Sequence, residues 1–121
     1  MANKVFVNSD QVVEIIVDGD QTVASVTTMG NHALELAQAF KRKNKPALIL
    51  DNLLLKGSVP ADARSIVVDL IKSRDFDKLA MVGSGGIIKI GANLILQASG
   101  KGSRVKYFDS YKLATNWLLA P

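Results

Sequence analysis

The chain contains no cysteine, which removes disulfides, thiolate nucleophiles and thiolate-held metals together. It has one histidine, His32. A Ser/His/Asp arrangement with a spare base and a multi-histidine metal cluster are therefore both out of reach within one chain. Aromatic residues make up only 6% of the chain and do not interleave with its cations, so base stacking has little to work with and no nucleic-acid partner is expected. No run approaches the roughly 18 apolar residues of a membrane span, and the opening MANKVFVNSDQ lacks the apolar core of a signal peptide. A cytoplasmic protein with no transmembrane segment is the expectation.

What is present is ordinary for a globular protein. The 121 residues, 48% hydrophobic and 21% charged, suit one domain over 1–121, since a second core would be too small to fold. The net charge of +4 gathers at Lys41, Arg42, Lys43 and Lys45, with Lys101, Arg104 and Lys106 further on. Such a cluster can meet phosphate. The simpler reading is a solvated helix end whose cations complement the C-terminal dipole.

Along the chain, KVFVN, VVEIIVDG and TVASVT read as two or three antiparallel strands, parted by the turn residues Asn8-Ser9-Asp10 and Asp18-Gly19-Asp20. From Met29 the period changes: Met29, Ala33, Leu36, Ala37 and Phe40 share one helical face that ends in the basic cluster before Pro46. ALILDN follows as a strand covered on both faces. Gly57-Ser58-Val59-Pro60 opens a second helix with Ala63, Ile66, Val67, Leu70 and Ile71 inward and Arg74 near its end. LAMVG is another buried strand, GIIKIGANLILQAS a third helix closed by Gly100, VKYF the last strand, and YKLATNWLLA the last helix. Strands alternating with helices predict an α/β fold whose sheet is mixed but mainly parallel, with an N-terminal antiparallel ribbon and about four helices.

The strand DFDKLAMVG, the apolar helix after it, VKYFDSYKLATNWL with its Phe-Asp turn and closing Ala-x-x-Trp-Leu helix, and the Asp-ending strand in ALILDNLLLKG resemble the SpoIIAA-like family. That family is related to the STAS domains of anti-sigma-factor antagonists. The resemblance covers most of the chain and implies a small α/β sandwich with helices packed on a central sheet. The sporulation antagonists are phosphorylated on a serine in an Asp-Ser-Ser-Gly stretch at the start of the second helix. Here the corresponding residues are Lys56-Gly57-Ser58-Val59-Pro60-Ala61-Asp62. Ser58 is the nearest hydroxyl, but the pattern is absent. Its simpler role is as a helix N-cap, although a phosphate there would meet the positive helix end.

Residues 79 to 109 also imitate a dinucleotide fingerprint: strand, glycine turn, helix, strand, acid. Gly83-Ser84-Gly85-Gly86 is followed by Ile88 where a third glycine belongs, and Asp109 lies slightly beyond the usual spacing of the ribose-binding acid. The turn also begins the last β-α-β-α, with no further strand to complete a second half. A structural turn is the leading reading. An isolated anion site on the amides of Ser84, Gly85 and Gly86 comes next, and a dinucleotide site last. No cofactor and no metal are expected.

The third helix is apolar beyond the needs of one core face. Ile87, Ile90, Gly91, Leu94, Ile95 and Ala98 form one stripe, while Ile88, Ala92 and Leu96 form a second that calls for another cover and is the candidate interface. A neighbouring helix, a second copy of the chain, or an apolar ligand or membrane surface would serve. For acid-base chemistry Asp51 is the best single candidate, at the C-terminal strand edge where ligands bind in open sheets. Ser58, Ser84 or Lys89 are its natural partners, and a simple hydrogen-bond acceptor in a loop is its plainer role. The expectation is a non-enzymatic STAS-like interaction or regulatory module that docks to a protein partner and self-associates as a homodimer through the third helix. The alternative is a carrier or sensor for a small ligand, lipid-like or phosphorylated, bound between the Asp51 loop and the Gly83 to Gly86 turn.

Overall fold

The computed structural model describes residues 3–55, 57–73 and 75–121. Lys56 and Arg74, both used in the sequence reading, lie outside the described residues. The strands are β1 (Lys4–Val7), β2 (Val13–Ile16), β3 (Leu48–Asn52), β4 (Lys78–Val82) and β5 (Val105–Phe108). The helices are α1 (Val23–Arg42), α2 (Ala61–Ser73), α3 (Gly86–Ser99) and α4 (Tyr111–Leu119). The strands form one sheet in the order β1-β2-β3-β4-β5. β1 runs antiparallel to β2 and every other neighbour is parallel, which is the expected α/β architecture.

The expected third strand, TVASVT, is instead the first turns of α1. Its β-branched residues favour a strand locally, but a reciprocal cap outweighs them: Ser25 N donates to Thr22 Oγ1 at 3.1 Å and Thr22 N donates to Ser25 Oγ at 2.9 Å. Such a box contributes about 1 kcal/mol. Gln21, buried beneath, adds an acceptor for the Ser25 hydroxyl at 2.9 Å.

Sequential strand order decides where the helices go. Each parallel connection moves one strand in the same direction, and right-handed crossovers then place α1, α2 and α3 on the same face. Val13, Ile49, Leu79, Met81 and Val105 pack there against Ala33, Leu34, Ala37, Ile71, Ala92, Ile95 and Leu96. Alternation along the strands turns Leu48, Leu50, Ala80 and Val82 to the other face, where Ala114 and Leu118 of α4 cover them. Connections one strand apart would set their helices about 4.8 Å apart, yet packed helices need about 8–10 Å. The crowding is relieved by spreading. α1 lies over β1 and β2, α3 lies over β5, and α2 packs chiefly on α1 and α3. The middle helix thus rides above β3 and β4, and the gap beneath it matters below.

Charged groups tie the lower edge. Asp77 accepts from Ala47 N at 2.7 Å and pairs with Lys41 Nζ at 3.2 Å, fixing the starts of β3 and β4 to the end of α1. Asp75 meets Lys41 at 3.4 Å and Arg104 at 3.0 Å. Part of the basic cluster is therefore neutralised within the fold. Lys78 Nζ donates to Trp117 O at 2.7 Å and Ala120 O at 2.9 Å, closing the carbonyl end of α4. Asp77→Ala removes both a charged pair and the acceptor of a backbone amide, so a loss of about 1–2 kcal/mol is expected. Asp75→Ala, which removes an exposed carboxylate, should change stability far less. Urea denaturation of the two variants checks the order, and equal midpoints would contradict it.

Candidate ligand-binding cavity

Asp51 sits at position four of β3, on the three-helix face. Its register partners are Ile15 on β2 and Met81 on β4, so neither neighbouring strand offers it a side-chain donor. The gap beneath α2 is a cavity of about 270 Å³ into which Asp51 faces. Its walls are apolar: Ile15 and Met81 from the sheet, Val67 and Leu70 from α2, Ile88 and Gly91 from α3. Asp51 is half-buried as a residue, but its Oδ1 is closed off from solvent and has no hydrogen-bond partner. Burial alone pushes its carboxyl from the ordinary 3.8 up to about 7, because a charge without compensation is disfavoured in apolar surroundings.

The opposite face holds an instructive counterpart. Glu14 is only 4% exposed, yet it receives Asn8 Nδ2 at 3.1 Å, Tyr111 OH at 2.6 Å and Asn52 Nδ2 at 3.3 Å. One buried carboxyl is satisfied by three donors; the other has none for Oδ1. Tyr111 shows the cost of that service, since burial and then the Glu14 carboxylate push its hydroxyl up to about 12. Among the described residues the other buried side-chain atom without a partner is Tyr107 OH. Asp109 lies near enough to raise its pKa, after burial, but outside hydrogen-bond geometry.

Of the residues the sequence singled out, Asp51 and Ser58 come to this cavity, whereas Ser84, Gly85 and Gly86 do not line it. The expected partnership of Asp51 with a hydroxyl or Lys89 is not formed. Nor is Asp51 the plain loop acceptor that it resembled. Ser58 N and Oγ both donate to Asp20 Oδ1 at 3.0 Å. Ser58 also precedes α2 by too far to cap it: the first helical bond runs from Arg64 N to Pro60 O at 2.9 Å. The glycine turn has a packing explanation. A Cβ on Gly83 would come within 2.5 Å of Ile88 Cγ2 and 3.1 Å of Tyr107 OH, and Gly85 takes a φ of 99° that favours glycine.

The candidate interface on α3 needs correction. Ala92 and Leu96 are buried and Ile88 is half-buried against the cavity; the outward stripe is Ile87, Ile90 and Leu94, exposed by 87, 64 and 56%. Both stripes are apolar, so hydrophobicity could not rank them. Ser99 continues the inner face and is buried there, its hydroxyl donating to Leu96 O at 2.7 Å within its own helix. On α2 the inward stripe is also looser than expected, with Ala63 and Ile71 buried and Ile66, Val67 and Leu70 only partly so. The sequence reading missed Gly30, Arg64 and Gly91 as cavity residues. The available signal was the run of small residues, Gly30 and Ala33 on α1 and Gly91 and Ala92 on α3, on helix faces that enclose one space.

A family model for SpoIIAA-like proteins matches residues 12–119. The chain belongs to the SpoIIAA-like family. A crystal structure of an uncharacterized Shewanella loihica PV-4 protein with a SpoIIAA-like fold superposes with a TM-score of 0.62 at 18% identity, covering 97% of this chain and 92% of that one. At that identity the likeness concerns the fold alone. No curated protein matches. Within this SpoIIAA-like chain Ser58 stands at the cavity wall, bonded to Asp20.

The Asp51 shift fixes the sign of a pH effect. Because its folded pKa lies above the unfolded one, proton uptake stabilises the fold; that gain is complete below about pH 4 and is lost as pH rises through about 7. Asp51→Asn should therefore match the wild type near pH 4 and exceed it at pH 8.5 by about 1–3 kcal/mol, within a ceiling of about 4 kcal/mol set by the size of the shift. Asp75, held below the usual carboxylate range by Arg104 and Lys41, and Asp77, which burial pushes up but the Ala47 amide and Lys41 together pull lower still, act in the opposite direction but equally in both proteins. Denaturant melts at the two pH values test this, and a constant difference would contradict it.

Proposed function

We propose that this SpoIIAA-like chain is a non-enzymatic regulatory module that encloses a small, largely apolar ligand beneath α2. The cavity of about 270 Å³ carries the reading. Small-molecule pockets run from roughly 300 to 1,000 Å³ and combine apolar walls with few polar groups; this one lies just below that range and suits a small ligand. The polar residues on its wall are Gln21, Asp51, Ser58 and Arg64. Asp51 has no base, acid or nucleophile paired with its buried oxygen, so the arrangement supports recognition better than proton transfer. Ligand occupancy would be read by a protein partner through the position of α2, the helix that the ligand supports and the one least anchored to the sheet. The STAS relationship supports such a partner by analogy of fold only.

Gly91 provides the test. A Cβ there meets nothing within 4 Å although the residue lines the cavity, so Gly91→Leu should fill the space. It should also gain up to about 1 kcal/mol from helix propensity. The expected result is a variant at least as stable as the wild type that has lost the saturable thermal stabilisation conferred by a small apolar probe such as butylbenzene. Stabilisation retained in the variant would contradict the reading.

Self-association is a second reading, favoured by the exposed Ile87, Ile90 and Leu94 stripe. Leu94→Glu then converts a dimer to a folded monomer in light scattering over a range of concentrations, whereas Leu96→Glu should unfold the chain. A monomeric wild type contradicts it.

A further inference from the structure

The polar wall of the cavity says which ligand fits, and the inference here rests on the cavity being a ligand site. Among the described residues every other polar side chain lining it has a partner. Gln21 Nε2 donates to Asn3 Oδ1, Asp18 O and Gly19 O at 3.2, 3.2 and 2.8 Å, and its Oε1 accepts from Asn3 and Ser25. The Ser58 hydroxyl is given to Asp20 at 3.0 Å. Arg64 Nη1 donates to Val59 O at 2.8 Å. Asp51 Oδ1 is the exception, buried and without a donor, between Ile15 and Met81. Arg64 is the other charged residue on the wall among the described residues, and it does not figure among the influences on the Asp51 carboxyl, which is governed by burial alone.

A buried acceptor without a donor is disfavoured by roughly 1–3 kcal/mol. A ligand that brings the donor removes that penalty on binding, so the penalty becomes selectivity. We infer that the ligand is an apolar molecule carrying one hydrogen-bond donor, a hydroxyl or a protonated amine, which seats on the half-buried Asp51 carboxyl. An apolar carboxylate is rejected at the same place, because two carboxylates would share one apolar space without a cation between them. The fit is polarised along the cavity: the donor lies at the sheet, and the apolar body lies under Val67 and Leu70 of α2 and against Gly91 of α3. Ligand selection thus uses the acid on the wall whose buried oxygen the fold leaves without a donor.

Calorimetric titration of the full chain at pH 8.5 with octanol, octylamine, octanoate and the donor-free butylbenzene tests this, in wild type, Asp51→Asn and Arg64→Gln. The expected result is that octanol and octylamine bind the wild type at least about tenfold more tightly than octanoate, the amine tightest because it forms an ion pair. Asp51→Asn should weaken octylamine at least about tenfold relative to butylbenzene, because the ammonium loses its counter-charge, and Arg64→Gln should leave the order unchanged. Octanoate binding the wild type as well as octanol, octylamine binding unchanged in Asp51→Asn, or octanoate binding lost in Arg64→Gln would each overturn the inference. If butylbenzene binds in those cases, the apolar cavity reading stands without it. Failure of all four probes to bind overturns both.

Discussion

A carboxyl held in apolar surroundings without a partner raises the free energy of the folded state, and other contacts must offset it. Asp51 is such a group, and its position follows from strand alternation. Ile49 and Asp51 point to the three-helix face while Leu48, Leu50 and Asn52 point to α4. A shift of one residue would send Asp51 to the side where Glu14 finds three donors. The register between Asp51, Ile15 and Met81 prevents that, because it also places Ile49 and Leu79 in the core. The same alignment that builds the core therefore isolates the acid.

The space around that acid has an equally mechanical origin. Three right-handed crossovers in one direction crowd one face, and α2 is lifted off the strands. Gly30, which a Cβ would bring within 2.4 Å of Leu70 Cδ1, lets α2 settle closely against α1, while Gly91 leaves room on the α3 side. The result is a cavity whose roof is an amphipathic helix with only two fully buried residues, Ala63 and Ile71. A roof so lightly held is the element most sensitive to what fills the space below it, which connects packing to the proposed regulatory role.

Much of the architecture was legible in the sequence because hydrophobic period and turn residues are local signals. The alternation of strand and helix from ALILDN onward, the antiparallel start and the family all follow from residues read in order. TVASVT was misread because β-branched composition and a Thr-x-x-Ser cap conflict, and the cap is the more specific signal. The orientation of α3 was not legible: two apolar stripes compete, and the choice between them depends on how the helix packs against β5 and α2. Asp51 was visible as a candidate from its place at a strand end. Its isolation was not, since that depends on partners brought from β2 and β4 and on α2 being displaced, which are consequences of topology rather than of neighbours in sequence.

Asp51 is half-buried, its Oδ1 is without a donor, and it is consequently hard to ionise. Carbon-detected NMR titration of the aspartate side chains in the ligand-free chain measures this directly. A carboxyl resonance assigned to Asp51 by comparison with Asp51→Asn and titrating with a midpoint near 7 is the expected result. A midpoint in the ordinary range near 4 would mean that Asp51 is solvated or paired, and would contradict it.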